Sequence, residues 1–151
     1  MMTKVYPIGL NLHGKNVLVV GGGRVAAHKI QTLLGYGAHI IVVSPTIVSQ
    51  IDRQTVEWHP RNFEFNDLQR AQLVFACTND PILNMQIYDH ASASQWVNNT
   101  SDRHHSDFYN MAVIKNAEIT LTISTNGHSP KEAKRLKKEL MTWLESNKEK
   151  R

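Results

Sequence analysis

The sequence has only one cysteine, Cys77, and no hydrophobic run that approaches the length of a membrane span. A lone cysteine excludes an internal disulfide and is typical of a reducing compartment, so we expect a cytoplasmic protein. A membrane-spanning helix needs about 20 consecutive apolar residues, and the sequence therefore predicts no membrane segment. Residues 1–7 precede no hydrophobic block, which argues against a signal peptide.

Basic residues outnumber acidic ones only at the C-terminal end. The net charge is +4, and residues 131–151 carry the whole excess, with eight Lys or Arg against four Glu. Such a segment can attract nucleic acid, anionic lipid or an acidic small molecule, or it can be a solvated helix face. The sequence has no zinc-ligand pattern and no basic patch interleaved with aromatic residues, so we expect no nucleic-acid partner.

Three consecutive glycines separate a strand pattern from a helical pattern. Residues 17–20 are an unbroken apolar run, Gly21, Gly22 and Gly23 follow, and apolar residues then recur at helical spacing from Ala26 onward. Gly21, Gly23 and Ala26 fit the G-x-G-x-x-A dinucleotide fingerprint. Gly21 would permit the turn, and Gly23 would let the backbone approach a pyrophosphate at the helix N-terminus. The alternative is a glycine turn that binds no nucleotide.

The second predicted strand, residues 39–43, ends at Ser44, Pro45 and Thr46. Many NAD-binding folds carry an Asp or Glu here, which holds the ribose hydroxyls, whereas an arginine favours the 2′-phosphate of NADP. Neither residue type is present, so the hydroxyls of Ser44 and Thr46 or backbone groups must take that role. The choice between NAD and NADP stays open on these residues, and we favour NAD.

The remaining pattern predicts an α/β fold, with a Rossmann-like parallel sheet followed by an antiparallel hairpin and a C-terminal helix. We expect an NAD-binding domain over residues 1–108 and a dimerisation region over residues 109–151. The further predicted elements are a short helix over 46–54, strands over 56–59, 73–76 and 95–98, a helix from Pro81 to about residue 92, hairpin strands over 112–115 and 119–124 with a turn at 116–118, and a helix that starts at Pro130.

The last predicted helix has an apolar face, and a chain this short offers little other structure that could cover it. Ser129, Pro130 and Glu132 form a capping box with proline at the first helical position. We expect a homodimer in which two copies bury this face, formed by Ala133, Leu136, Leu140, Trp143 and Leu144.

The densest polar run of the sequence, residues 98–108, follows the fifth predicted strand. Its Asp102, His104, His105 and Asp107 can supply general-base chemistry or metal ligands. Neighbouring histidines on an extended chain point to opposite faces, and the run has no H-x-H pair, so we predict no permanent metal site. A capping role for the Asp102 carboxylate within the loop is an equal alternative.

Together these motifs resemble the precorrin-2 dehydrogenases, the NAD-dependent part of siroheme synthases. The G-G-G-x-V-A and S-T-x-G-x-S-P elements are the most specific. The resemblance implies that NAD⁺ accepts a hydride from precorrin-2, which becomes sirohydrochlorin, and some members also insert Fe²⁺. The resembling residues are Tyr6 and Pro7, 19–26, 42–45, 67–68, 76–80, 97–98, 106–108 and 123–130.

The resemblance also implies a set of site residues. Asp102 matches an aspartate after the V-N strand and is expected to be the general base, although the pattern of other members would put this aspartate at Ser101. The predicted cofactor-binding residues are Gly21, Gly22, Gly23, Arg24, Val25, Ser44, Pro45, Thr46, Thr78 and Asn98. The predicted substrate-binding residues are His104, Ser124, Thr125, Asn126 and Gly127.

The sequence departs from this family in three respects. Thr125 stands where some members have a serine that carries phosphate, and His28 precedes Lys29 where members usually have an arginine. The sequence also ends at Arg151, whereas members continue into a C-terminal helical domain. The expected function is NAD-dependent dehydrogenation of precorrin-2. The alternatives are a bifunctional enzyme that also inserts Fe²⁺, a non-catalytic NAD-sensing module and a tetrapyrrole carrier.

Overall fold

Five short segments form a parallel sheet, and the three central ones are mainly apolar and are buried on both faces. The computed structural model describes residues 5–116, 119–126 and 128–147. The strand order is β3-β2-β1-β4-β5, which confirms the predicted Rossmann-like sheet. The strands are β1 (Asn16–Val20), β2 (His39–Val43), β3 (Glu57–His59), β4 (Leu73–Ala76) and β5 (Trp96–Asn99).

One helix covers each face of this sheet. Helix α1 (Arg24–Leu33) buries Ile30 among the residues of β1 and β4 that face it, such as Val19 and Phe75. Helix α2 (Pro81–His90) buries Ile87 against the opposite face. Asp80 caps α2, since its carboxylate accepts hydrogen bonds from the amides of Ile82 and Leu83 at 2.9 and 3.3 Å.

The predicted helix over residues 46–54 is wrong. These residues form turns, in which the amide of Val48 donates to the carbonyl of Gly22 at 2.8 Å and that of Ile51 donates to Val48 at 3.0 Å. The glycine turn thus binds the backbone of this segment through a hydrogen bond between residues that are distant in sequence. An apolar pattern does not reveal such a contact. The sequence also missed two 3₁₀ turns, Phe65–Arg70 and Arg103–His105.

The chain divides into two units, which we call the sheet unit, Gly9–Tyr109, and the hairpin unit, which joins the N-terminal segment to the residues from Asn110 onward. In the hairpin unit, β6 (Ala112–Lys115) pairs antiparallel with β7 (Thr120–Ile123). Of the predicted hairpin turn, residues 117 and 118 lie outside the described residues.

The last helix, α3 (Pro130–Ser146), starts as predicted at the Ser129 cap, whose hydroxyl accepts from the amide of Glu132 at 3.1 Å. Met141 and Leu144 line a groove together with Ile114 and Leu121 of the hairpin. No α3 residue is buried, and no helix within the described part of the chain is long and apolar enough to cross a membrane.

Two isoleucines of α2 test the packing of this helix. Ile87 is fully buried, whereas Ile82 is 70% exposed. We expect Ile87→Ala to lower the free energy of unfolding by about 2–5 kcal/mol, because it leaves a cavity between α2 and the sheet. Ile82→Ala makes the same chemical change on the exposed side, and its expected effect is within about 0.5 kcal/mol. Urea unfolding followed by circular dichroism measures both, and equal effects would contradict the packing described here.

Candidate functional site

A cleft of about 360 Å³ lies at the carboxyl edge of the sheet, above the central strands. The strand order reverses between β1 and β4, and in parallel α/β sheets this switch point is where ligands bind. No charged side chain is among the described residues that line the cleft. They are Val20, Gly21, Gly22, Gly23, Val43, Ser44, Pro45, Thr46, Val48, Asn62, Phe63, Cys77, Thr78, Asn79 and Leu83.

The three glycines form the floor of the cleft, and they are constrained in different ways. Gly21 has φ +115°, a conformation that L side chains rarely adopt. A Cβ on Gly22 would lie 2.0 Å from the carbonyl oxygen of Thr46, which no real side chain can tolerate. A Cβ on Gly23 would meet nothing within 4 Å. The fingerprint assigned roles to Gly21 and Gly23, but the tightest steric constraint falls on Gly22.

Gly23 is also the N-cap of α1, and no side chain caps this helix end. The first-turn amides therefore offer hydrogen-bond donors and a partial positive charge to an anion. A glycine floor, open space beside Gly23 and an uncapped helix N-terminus fit the pyrophosphate of a dinucleotide. The predicted residues Arg24 and Val25 lie on this first turn, and both are exposed.

The segment after β2 forms one wall of the cleft. Ser44 is nearly buried, and its carbonyl accepts a hydrogen bond from the indole Nε1 of Trp58 at 2.9 Å. This contact fixes the backbone that leads into Pro45 and Thr46. The structure thus brings most of the predicted cofactor residues to one cleft: Gly21, Gly22, Gly23, Ser44, Pro45, Thr46 and Thr78.

The side chains of Cys77, which follows β4, and of Asn98, in β5, are not simple ligand contacts. Burial raises the pKa of the Cys77 thiol to about 11, so the thiol stays protonated at neutral pH. Asn98, predicted to bind the cofactor, does not line the cleft. Its Nδ2 donates to the carbonyl of Phe108 at 2.7 Å, and its buried Oδ1 has no partner among the described residues.

A fully buried amide on α2, Asn84, joins the cleft to the polar loop after β5. Its Oδ1 accepts from the amide and the hydroxyl of Thr78 at 3.1 and 2.7 Å. Its Nδ2 donates to the carbonyl of Thr78 at 3.1 Å and to the Ser101 hydroxyl at 3.0 Å. The side chain therefore uses all four of its hydrogen-bonding positions. Sequence reasoning missed Asn84, because a single asparagine in a helical pattern carries no signal of its own.

Asp102 begins the second 3₁₀ turn and caps it. One carboxylate oxygen accepts from the His104 amide at 2.8 Å, and the other lies 2.7 Å from the ring Nδ1 of His105. Both contacts lower the pKa of Asp102 below its ordinary range, and the contact with His105 has the larger effect. Ser101, the alternative register for the catalytic aspartate, is held by Asn84 and by Asn99.

The residues predicted to bind substrate fall in two places. His104 is exposed next to Asp102 in the sheet unit, and the others belong to the hairpin unit. There, the Thr125 hydroxyl accepts from the Ser129 amide at 3.1 Å and donates to its carbonyl. Asn126 has φ +50°, and its amide donates to the Ser124 hydroxyl. Ser124 to Asn126 thus form a tight turn before α3, and Gly127 lies outside the described residues.

Comparison with known proteins adds three findings. A family model described as "Putative NAD(P)-binding" matches residues 8–112. The chain is 32% identical over 134 residues to "Precorrin-2 dehydrogenase" of Bacillus subtilis (strain 168), covering 86% of this chain and 83% of that protein. The solved structure "SirC, precorrin-2 dehydrogenase" superposes with a TM-score of 0.81 at 31% identity, over 91% of this chain and 70% of that one.

Longer proteins also match. The chain is 36% identical over 141 residues to "Siroheme biosynthesis protein met8" of Schizosaccharomyces pombe, covering 88% of this chain and 53% of that protein. It is 35% identical over 146 residues to "Siroheme synthase" of Photorhabdus laumondii, covering 93% of this chain and 31% of that protein. The chain thus spans about half and about a third of the length of these two relatives.

Two substitutions in the glycine floor separate an effect on folding from an effect on ligand binding. We expect Gly22→Ala to destabilise the protein, because its methyl group would collide with the Thr46 carbonyl. Gly23→Ala should unfold like the wild type yet bind NAD at least tenfold more weakly, because the methyl group occupies the space that a pyrophosphate needs. Thermal unfolding without ligand and titration calorimetry with NAD measure the two effects. Wild-type NAD affinity in Gly23→Ala would contradict this assignment.

Proposed function

The chain belongs to the precorrin-2 dehydrogenase family, and on this basis we propose that it oxidises precorrin-2 to sirohydrochlorin with NAD⁺ in siroheme biosynthesis. One observation carries the proposal: the likeness to a precorrin-2 dehydrogenase extends over 83% of that protein, well beyond a nucleotide-binding module. The cleft at the switch point supports it, since its glycine floor fits a dinucleotide. A cytoplasmic location is part of the proposal and rests on the lone cysteine.

The reaction requires the loss of two electrons and two protons in total from the macrocycle. Bound NAD⁺ supplies a hydride acceptor, which accounts for both electrons and one proton. The second proton must leave to a base or to water, so the protein needs a proton acceptor beside the macrocycle. The glycine floor and the uncapped N-terminus of α1 are proposed to hold the pyrophosphate, and the hydroxyls of Ser44 and Thr46 to hold the ribose.

Asp102 is proposed to be the carboxylate on which proton removal depends. It follows β5 at the same edge of the sheet as the cleft, and the Ser101–Asn84 hydrogen bond ties its loop to Thr78 in the cleft wall. Its side chain remains about one-third exposed, so it is accessible to a substrate. His104, Ser124, Thr125, Asn126 and Gly127 are proposed as substrate contacts.

We further propose that the protein is a homodimer, with an NAD-binding domain over residues 1–108 and a dimerisation region over residues 109–151. In α3 the apolar face is only partly covered within its own unit: Leu144 lines the hairpin groove, whereas Leu140 is 36% and Trp143 is 60% exposed. A tryptophan exposed to this extent beside a leucine is typical of a surface that binds another protein.

The first experiment on function is a coupled assay of anaerobically generated precorrin-2 with NAD⁺. We expect NADH and sirohydrochlorin to appear together in the wild type. We expect Asp102→Asn to lower kcat by about 10²-fold or more, because it removes the charge but keeps the capping oxygen. The dissociation constant for NAD should stay within about threefold of the wild type, because Asp102 does not line the cleft.

Asp89→Asn is the matched control, since it makes the same change on the exposed surface of α2 and should leave kcat unaltered. Adding Fe²⁺ after the oxidation tests the bifunctional alternative. NAD binding without turnover would favour a sensing module, and tight binding of tetrapyrrole without NADH would favour a carrier.

A charge placed on the exposed face of α3 tests the dimer. We expect the double variant Leu140→Glu, Trp143→Glu to sediment as a monomer under conditions in which the wild type is a dimer, because the contact would bury two carboxylates. Lys134→Glu places its charge on the side of the helix opposite Trp143 and should leave the dimer intact. A monomeric wild type in analytical ultracentrifugation would refute the proposal.

A further inference from the structure

Asp102 and His105 form a carboxylate–imidazole pair on the exposed surface of the loop after β5. The Oδ2 of Asp102 lies 2.7 Å from the Nδ1 of His105, and the side chains are 36% and 43% exposed. An ionised carboxylate only accepts hydrogen bonds, so Nδ1 carries the proton in this contact. The neutral ring then presents a lone pair at Nε2. Nε2 has no hydrogen-bond partner within the described part of the chain.

Neighbouring groups hold both members of the pair in place. Asp102 is fixed through its other oxygen by the His104 amide and through its own amide by the Asn99 side chain. The His105 ring meets the Tyr88 ring edge to face, with centroids 5.8 Å apart. The imidazole therefore has a defined orientation even though it lies in a loop.

Helix α2 anchors this arrangement at two successive turns. Asn84 binds Ser101, and Tyr88, one turn later on the same side, contacts His105. Ser101 and His105 flank Asp102 in the sequence, so both sides of the pair are docked on one helix. The same helix contributes Leu83 to the cleft. The pair is thus attached to the scaffold that forms the proposed NAD site.

The hydrogen bonds to Asp102 make its carboxylate a poor base at neutral pH. Both oxygens already accept a hydrogen bond, and the pKa of the group is lowered by them. A base is most effective when its conjugate acid titrates near the working pH, and imidazole is the side chain that commonly meets this condition. The geometry therefore separates two roles: the Asp102 carboxylate orients the His105 ring, and the ring accepts the proton.

We propose that His105 is the proton acceptor in precorrin-2 oxidation and that Asp102 is the residue that positions it. In this step the hydride leaves a C–H bond of the macrocycle with its electron pair and passes to NAD⁺. The second proton leaves an N–H or C–H bond of the macrocycle, whose electron pair stays behind to form the new double bond, and it binds the Nε2 lone pair. The resulting imidazolium is stabilised by the Asp102 carboxylate. His105 then releases its proton to water. This assignment rests on the proposed dehydrogenase function.

Chemical rescue tests the proton acceptor. We expect His105→Gln to lower kcat by about 10²-fold while the dissociation constant for NAD changes less than about threefold. The activity of His105→Gly should rise at least tenfold on addition of free imidazole, which can occupy the vacated space and take the proton. His28→Gln is the matched control, because it makes the same change on the exposed surface of α1.

A second measurement does not depend on turnover. Long-range ¹⁵N–¹H correlation spectra of the ligand-free protein report which ring nitrogen of His105 is protonated. We expect Nδ1–H in the wild type. In Asp102→Asn the amide oxygen is needed by the His104 N–H, so its NH₂ group faces Nδ1 and should shift the ring toward Nε2–H. Circular dichroism verifies that each variant is folded.

The outcomes separate the two proposals. A wild type that forms no NADH from precorrin-2 refutes the proposed function, and the proton-acceptor role with it. If the wild type turns over, then kcat within threefold of the wild type in His105→Gln overturns only the role of His105. So does a folded His105→Gly that imidazole does not rescue, or an Nε2–H ring in the wild type.

Discussion

The close approach of the Gly22 backbone to the segment after β2 is the constraint on which the cleft depends. The Gly22 carbonyl accepts from the Val48 amide at 2.8 Å, and Thr46 leaves no space for a side chain at Gly22. This contact brings the floor of the cleft and its wall together through backbone atoms alone. It positions the wall without any charged side chain, so the ligand meets amides, hydroxyls and helix ends.

The sequence predicted the sheet well and the loops poorly, for a physical reason. The strands and α1 follow from local apolar patterns, because burial on one or two faces leaves a periodic signature. Residues 46–54 have a similar pattern but lose their helix to a hydrogen bond with Gly22, which is distant in sequence. Asn84 was equally invisible, since its four partners come from two loops that only the fold brings together.

Resemblance and geometry contribute different parts of the functional picture. The motifs resemble a family whose reaction is known, and no spacing in the sequence identifies precorrin-2 by itself. The structure in turn shows how Asp102 is used: it caps the turn Arg103–His105 and contacts His105 with the same carboxylate. The capping role and a role in proton removal, which the sequence presented as alternatives, are therefore compatible.

Asn84, whose side-chain amide uses all of its hydrogen-bonding positions, couples the loop that contains Thr78 to the loop that contains Ser101. Any ligand that moves Thr78 must break or stretch hydrogen bonds to Asn84, and Asn84 also holds Ser101 beside Asp102. A change in one loop therefore alters the free energy of the other. Because such coupling is reciprocal, occupancy of the cleft and order in the Asp102 loop would each change the equilibrium constant of the other by the same factor.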